Sequence, residues 1–166
     1  MDIQKFKEQI SGLENIKSLD LNIKDDIELN EYYNTAKEYL ESYNWVHKTL
    51  NCWIGLDINS ILAVFLFQIE PTKKGIDEYV WVVSGDLPNV YIDIESASGD
   101  ESLIDIIEVL DCYIYIVSQW VEAVKSNESV SNCYPLGLEP IKENAENLEL
   151  KLNFIQNEII PMIKEQ

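Results

Sequence analysis

The chain has 166 residues, of which 30 are Asp or Glu and 12 are Lys, with no Arg, so its formal net charge is -18. Hydrophobic residues make up 46% of the sequence, which is enough apolar surface to offset chain entropy and excludes a disordered or collagen-like protein. The negative charge argues against direct binding to nucleic acid or to an anionic membrane, because both would repel the protein. The length predicts a single domain over residues 1–166.

Targeting and redox features of the sequence are few. The first 17 residues lack the apolar segment of a signal peptide. The longest apolar run, Ile61 to Phe67, is far shorter than the ~20 residues that span a bilayer. The cysteines Cys52, Cys112 and Cys133 lie far apart and form no C-x-x-C pair. We therefore expect a cytoplasmic protein without disulfide bonds.

Two helices are predicted in the first third of the chain. Ile3, Phe6, Ile10 and Leu13 follow helical spacing and predict a short helix over residues 2–17. Residues 27 to about 51 repeat apolar and aromatic side chains every three or four positions, which predicts a second helix. The predicted buried stripe of this second helix consists of Tyr32, Tyr33, Ala36, Tyr39, Leu40, Tyr43, Val46, His47 and Leu50.

The middle of the chain is typical of β-strands. Residues 60–69 form a continuous β-prone run, as in a strand that is covered on both faces. Residues 78–83 predict a second strand, and residues 90–95 predict a third that alternates between apolar and polar side chains. Because only short turns separate these runs, we expect an antiparallel meander of three strands.

Two further helices are expected after the strands. Ser98 to Ser102 marks a helix start, and a wide apolar pattern then continues to Lys125, which predicts the central buried helix. A Ser- and Asn-rich loop covers residues 126–137, and a last helix begins near Pro140 and keeps its pattern until Pro161. The order α-α-β-β-β-α-α predicts an α+β fold in which a three-stranded antiparallel meander packs with about four helices.

No metal-binding or catalytic motif stands out in the sequence. Asp105, Glu108, Asp111 and Glu122 fall on the third predicted helix, and a solvated acidic face is the expected role, because the chain has a single His and no Glu-x-x-His repeat or calcium loop. His47 has no nucleophile motif to serve, and no phosphate-binding glycine motif is present. We predict no catalytic residue, no metal site and no cofactor.

The acidic patterning is the most informative feature of the sequence. Between Lys74 and Lys125 no basic residue occurs, while eleven carboxylates fall in that stretch. This pattern has two interpretations. The charge serves solubility, or it forms an electrostatic surface that attracts a basic partner and fixes its orientation.

A predicted aromatic and acidic patch favours the second interpretation. If the last two strands present Tyr79 and Trp81 on the same face as Tyr91, Asp93 and Glu95, aromatic rings bordered by carboxylates form a surface typical of protein interfaces. The alternative is that helices cover this face and the rings belong to the core. The predicted binding residues are Tyr79, Trp81, Asp86, Tyr91, Asp93 and Glu95.

Three segments resemble a family of small acidic bacterial proteins with no assigned activity. They are Asp77 to Ile92, Trp120 to Val124 and Leu152 to Pro161, and the resemblance spans roughly residues 60 to 162. The resemblance implies no catalytic residue, ligand or cofactor. Small acidic α+β proteins of this kind are often immunity proteins or inhibitors that cap a basic nuclease or toxin, and this analogy of class favours a binding role.

We therefore predict a non-enzymatic acidic binding protein, an immunity protein or inhibitor, that caps a basic protein partner through its carboxylate-rich surface. Three alternatives stay open. One is a nucleic-acid mimic that inhibits a DNA-binding or defence protein. Another is a small enzyme that uses carboxylates among Asp86, Asp93 and Glu95. The third is a self-associating structural protein whose C-terminal helix pairs in a homodimer.

Overall fold

The computed structural model describes residues 3–19, 27–97 and 105–166. Within these ranges the elements are, in chain order, helix α1 (Ile3–Ser11), strand β1 (Glu14–Asn15), a 3₁₀ turn (Ile16–Ser18), helix α2 (Ile27–Glu41), strands β2 (Val46–Ile58), β3 (Leu62–Pro71), β4 (Tyr79–Gly85) and β5 (Val90–Asp93), and helices α3 (Ile94–Ala97), α4 (Ile106–Lys125), α5 (Lys142–Phe154) and α6 (Ile160–Lys164). A π-helical turn, Ile155–Ile159, joins α5 to α6. The chain divides into two compact units, Met1–Ile106 and Ile107–Gln166. The single domain expected from chain length stays a prediction.

The α+β class is confirmed, but the predicted three-stranded meander is wrong. The described strands form one antiparallel sheet of five, in the order β1-β2-β3-β4-β5. The three predicted strands correspond to β3, β4 and β5, with every end within two residues of its predicted place. The strands that the sequence did not predict are β1 and β2. Strand β1 and residues 46–51 of β2 lie where helix was expected.

Bulges explain why the start of β2 has a sequence pattern that predicts a helix. Its pairing with β3 is irregular at three places, between Val46 and Lys48, between Thr49 and Asn51, and between Ile54 and Leu56. A bulge adds one residue to a strand and moves the following side chains to the other face, so the two-residue alternation is lost. From Tyr43 to Leu50 the side chains of the predicted helical stripe then recur at intervals of three and four, as they do in a helix. Strand β1 has only two residues, too few to leave any periodic pattern.

Cross-strand register decides which side chains share a face of the sheet. Val82 lies opposite Phe65 on one side and opposite Tyr91 on the other, and these side chains share the face that packs against α2. Trp81 lies opposite Leu66 and opposite Ile92, so this row occupies the other face. All residues of β3 from Leu62 to Phe67 are buried, which confirms the strand predicted to be covered on both faces.

Helix α2 lies across the first of these faces. Ala36 and Leu40 are fully buried and belong to the same hydrophobic cluster as Phe65 and Phe67. The Ser84 hydroxyl donates a hydrogen bond to the Tyr32 carbonyl oxygen at 3.3 Å. The backbone N–H of Tyr91 donates to the hydroxyl oxygen of Tyr39, also at 3.3 Å. These two bonds connect α2 to β4 and β5, and they place the C-terminal half of α2 beside β5.

In the second unit, α4 ends in a hydrogen-bonded turn that reverses the chain. The Glu128 N–H donates to the Ala123 carbonyl at 2.8 Å, and the Asn127 N–H donates to the Val124 carbonyl at 3.1 Å. Asn127 has a left-handed backbone with φ of 55°. This is a Schellman motif, which satisfies the last carbonyls of the helix. The following residues 126–137 contain no helix or strand, as predicted, and the last helix begins at Lys142, two residues after Pro140. The predicted helix start, Ser98 to Ser102, lies outside the described residues.

The C-terminal helix continues past the point where its regular pattern was predicted to end. The Ile160 N–H donates to the Ile155 carbonyl, five residues earlier, which is the π-helical spacing. Pro161 has no N–H and its ring crowds the preceding turn of a regular α-helix, so a wider turn accommodates it. The chain then resumes α-helical geometry in α6. Ile159 and Ile160 are both buried, although they are adjacent in sequence.

Candidate functional site: an aromatic and acidic surface beside strand β5

Four aromatic side chains meet where the end of α2 and the turn after it approach β5. Tyr39 comes from α2, Tyr43 and Trp45 from the turn between α2 and β2, and Tyr91 from β5. All four are partly exposed. We call these residues the aromatic cluster. Its members come from segments that are some fifty residues apart, and the packing of α2 on the sheet brings them together.

The rings of the aromatic cluster contact one another directly. The ring centroids of Trp45 and Tyr91 are 5.1 Å apart, those of Tyr43 and Tyr91 are 5.2 Å apart, and those of Tyr43 and Trp45 are 5.5 Å apart. The Tyr43 hydroxyl also donates a hydrogen bond to the Tyr39 hydroxyl at 3.1 Å. Edge-to-face contacts at these distances are favourable aromatic pairs. The cluster is therefore a packed surface and does not enclose a cage for a ligand.

One carboxylate, Asp93, lies beside this cluster, and two further carboxylates act on Asp93. Asp93 follows Tyr91 by two residues on β5, so both side chains lie on the α2 face of the sheet. Burial raises the pKa of Tyr91, and the neighbouring Tyr43 and the charge of Asp93 raise this pKa further. The charges of Asp77 and Glu95 in turn act on Asp93. We call Asp77, Asp93 and Glu95 the acidic group, and all three are exposed.

The carboxylates of the acidic group repel one another. Partial burial raises the pKa of Asp93, and the charges of Asp77 and Glu95 raise it further. A carboxyl whose pKa is higher in the folded state than in the unfolded chain contributes stability at low pH, and this contribution is lost as the pH rises through the folded-state pKa. At neutral pH the ionised group therefore opposes folding slightly, and a cation that docks beside it would relieve the repulsion.

Tyr79 and Trp81 do not belong to this surface. The predicted common face is wrong, because the register places Trp81 opposite Ile92 and leaves Tyr91 opposite Val82. Trp81 is fully buried, so it offers no surface to a partner. Tyr79 is partly buried and packs edge-to-face against Phe6 at 4.9 Å between ring centroids. A shift of one residue in register exchanges the two faces of a strand, and local sequence does not specify this register.

Asp86 lies apart from the acidic group, in the turn that precedes β5. It is exposed, and its backbone N–H donates to the Ile61 carbonyl at 3.0 Å. Burial raises the pKa of Tyr32 to about 12, and the charges of Glu28, Asp86 and Asp57 contribute to the same shift. Asp86 therefore belongs to a second set of carboxylates at the N-terminal end of α2.

The sequence did not identify three members of the aromatic cluster as surface residues. Tyr39 and Tyr43 were assigned to the buried stripe of a helix, and Trp45 received no role. A signal was present, because three large aromatic residues with polar atoms fall within seven positions of the chain. Tyrosine and tryptophan combine an apolar ring with a polar atom, and for this reason they are enriched at interfaces.

The remaining candidate residues from the sequence are His47 and the three cysteines. His47 lies on β2, not on a helix, and is exposed. Burial raises the pKa of the Cys52 thiol, which disfavours the reactive thiolate. All three cysteines are free. Within residues 3–19, 27–97 and 105–166, no group of three or more His, Cys, Asp and Glu side chains has an arrangement that could hold a metal ion.

No protein-family profile, curated protein or solved structure shows a significant match to this chain. The resemblance to a family of small acidic bacterial proteins therefore stays a prediction. In the part of the chain that the structure describes, every helix is too short or too polar to cross a membrane.

Proposed function

We propose that this protein is a non-enzymatic binding protein, of the immunity-protein or inhibitor type, whose partner is a basic protein. The observation that carries this proposal is the partly exposed aromatic cluster beside the acidic group. The contact surface consists of Trp45, Tyr91, Asp77, Asp93 and Glu95. This surface takes the place of the sequence-based one, in which Tyr79 and Trp81 were included.

The chemistry of this surface matches a lysine or arginine side chain of the partner. Tryptophan and tyrosine faces attract cations, and this attraction is stronger when water is excluded. The acidic group supplies carboxylate acceptors for the same cation, and charge-assisted hydrogen bonds of this kind are short and strong. Tryptophan, tyrosine and arginine are also the residue types that are enriched among those that dominate measured binding energies at interfaces.

The net negative charge of the chain speeds the approach of a basic partner. With a formal charge of -18, the protein attracts a basic macromolecule over distances of about one Debye length, ~8 Å at physiological salt. Such steering raises the association rate and is weakened by salt. After contact, burial of the packed rings adds an attraction that does not depend on charge, so salt does not screen it as it screens the carboxylates.

The test compares two variants that change the net charge by the same amount. The first, Asp77→Asn/Asp93→Asn/Glu95→Gln, neutralises the acidic group. The second, Glu139→Gln/Glu143→Gln/Glu158→Gln, neutralises three exposed carboxylates of the second unit. Wild type and both variants are immobilised, and basic proteins from a lysate of the native host are bound, eluted with a salt gradient and identified by mass spectrometry. The affinity of the identified partner is then measured with each purified variant.

We expect one stoichiometric basic protein on wild type and on the second variant, and a loss of affinity of at least about tenfold for the first variant. Equal weakening by both variants would show that net charge alone is responsible, and the proposed surface would be rejected. If duplex DNA competes with this protein for the partner, the nucleic-acid mimic is favoured instead.

A pH series gives a second readout of the same surface. Because the pKa of Asp93 is raised, this carboxyl takes up a proton at a higher pH than an ordinary aspartate as the solution is acidified. Protonation removes the charge that binds the partner's cation. We therefore expect the affinity to fall on acidification in wild type, and to fall less in Asp93→Asn.

A further inference from the structure

The second unit contains a cavity that the proposed function does not use. It lies between α4 and the loop that follows this helix, and its volume is about 550 Å³. This volume is within the range of small-molecule sites in proteins, about 300–1,000 Å³. The lining residues that matter for the argument are Tyr115, Gln119, Glu122, Glu128, Cys133 and Tyr134.

The backbone of the loop builds this cavity. The Schellman motif at Asn127 reverses the chain, so that residues 128–134 return along the C-terminal half of α4. The Cys133 thiol donates to the Gln119 carbonyl oxygen at 3.6 Å and attaches the returning loop to the helix. The Ser129 hydroxyl accepts from the Ser131 N–H at 3.2 Å and shapes the turn between them. These hydrogen bonds fix the position of the loop beside α4, and the open cavity lies between the two.

The lining of the cavity has one sign of charge. Glu122 and Glu128 line it, and no lysine is among the residues that the structure describes around it. The lysine of the last turn of α4, Lys125, is not among the lining residues and pairs with Glu149, with its ammonium nitrogen 2.7 Å from the carboxylate oxygen, although its charge also acts on Glu122. The remaining polar groups, from Ser126, Ser129 and Asn132, are neutral. An anionic ligand would meet repulsion here, whereas a cation would meet two carboxylates.

Two tyrosine rings complete the set of groups that favour a cation. Tyr115 lines the cavity with 67% of its surface exposed, and Tyr134 lines it from the loop. A tyrosine ring face attracts an ammonium group, and the apolar edge of the ring packs against methylene groups. Carboxylates, aromatic rings and hydroxyls in one open cavity are complementary to an extended alkylammonium molecule.

We propose that this cavity is a binding site for a small organic cation of the polyamine class. Its ammonium groups would be held by Glu122 and Glu128, and its methylene chain would lie against Tyr115 and Tyr134. This site is in the second unit and does not depend on the surface beside β5, so either proposal can fail without the other.

The test is a titration of the ¹⁵N-labelled full chain with spermidine at about 0.15 M salt, where weak binding to the general acidic surface is screened. We expect saturable amide shifts centred on Gln119, Ala123, Asn132 and Cys133. Adipate, an anionic molecule with a similar methylene chain, should leave these amides unchanged. Shifts spread over all acidic surfaces, without saturation, would overturn the proposal.

Three variants distinguish binding in this cavity from general attraction of a cation to the acidic protein. Glu122→Gln/Glu128→Gln should weaken spermidine binding by about tenfold or more, because charged hydrogen-bond partners are removed. Glu139→Gln/Glu143→Gln changes the net charge equally outside the cavity and should have less than about a twofold effect. Ser129→Trp introduces a bulky, uncharged side chain into the cavity and should also abolish binding. Wild-type affinity in Ser129→Trp, or equal weakening in both charge variants, would overturn the proposal.

Discussion

At the scale of single residues, Gly85 lies where the end of β4 comes very close to the backbone at the start of β3. It has a φ of 129°, and a Cβ added there would lie 2.6 Å from the Ile61 carbonyl oxygen and 2.7 Å from the Leu62 Cα. Both neighbours are backbone atoms, which cannot move aside as the end of a flexible side chain can. Gly85 therefore permits the close approach of the end of β4 to the start of β3.

We expect Gly85→Ala to lower the free energy of unfolding by about 2–4 kcal/mol, because backbone strain and steric overlap act together. Gly75→Ala is the matched control. Gly75 also has a positive φ, of 90°, but nothing lies within 4 Å of an added Cβ, so this variant carries the strain without the overlap. Urea unfolding of both variants measures the two contributions. Equal losses in the two variants would contradict the role of close packing at Gly85.

Single residues of the site could be predicted from the sequence only in part. The sequence singled out Tyr91, Asp93 and Glu95, and the structure places Tyr91 and Asp93 on one face of the sheet. It also singled out Trp81, which is fully buried. Residue type indicates what a side chain can do, but the exposure of an aromatic ring depends on packing partners that lie elsewhere in the chain.

At the scale of elements, the end of α4 determines the path of the loop that forms the cavity. Asn127 supplies the left-handed residue of the Schellman motif, with φ of 55°. Asparagine tolerates this conformation better than most residues, and glycine tolerates it best. The two hydrogen bonds from Asn127 and Glu128 to the last turn of α4 depend on this backbone conformation.

We expect Asn127→Gly to raise the free energy of unfolding by about 0.5 kcal/mol, and Asn127→Val to lower it by about 1–2 kcal/mol. The reason is that valine, which is branched at Cβ, is strongly disfavoured at positive φ. Ser126→Val, one residue earlier and also exposed, serves as the control for the change in side chain. Thermal unfolding followed by circular dichroism gives the comparison. A loss in the Ser126 variant as large as that in Asn127→Val would contradict this explanation.

At the scale of the whole molecule, the excess of carboxylates is the dominant electrostatic feature. Three ion pairs among the described residues, Lys48–Glu70, Lys125–Glu149 and Lys142–Glu146, leave each of their six side chains at least 38% exposed. Exposed pairs of this kind contribute little to stability. Repulsion among the remaining carboxylates therefore outweighs attraction, and it acts against the compact state.

We expect added salt to stabilise the protein. Raising NaCl from about 0.02 M to about 0.5 M shortens the Debye length to a few ångströms and screens this repulsion, which should raise the melting temperature by roughly 2–6 °C. Choline chloride at the same concentrations tests whether the effect is general screening or specific binding of sodium. If the melting temperature falls as salt is added, the ion pairs stabilise the protein by more than the repulsion among carboxylates destabilises it, and this explanation is wrong.

The sequence by itself determined the charge, the α+β class and the elements with a regular local pattern. Strands β3, β4 and β5 could be located because a buried or alternating run is a local property of the chain. The body of α4 and the loop after it could be located for the same reason. These features depend on neighbouring residues along the chain and on their chemistry.

Only the tertiary structure decided the identity of β2, the face on which Trp81 lies and the composition of the site. Three bulges in β2 arise from its pairing with β3 and erase the local alternation. The register between β4 and β5 separates Trp81 from Tyr91, and the packing of α2 brings Tyr39, Tyr43 and Trp45 to Tyr91. Register and packing are set by contacts between distant parts of the chain, so no local pattern encodes them.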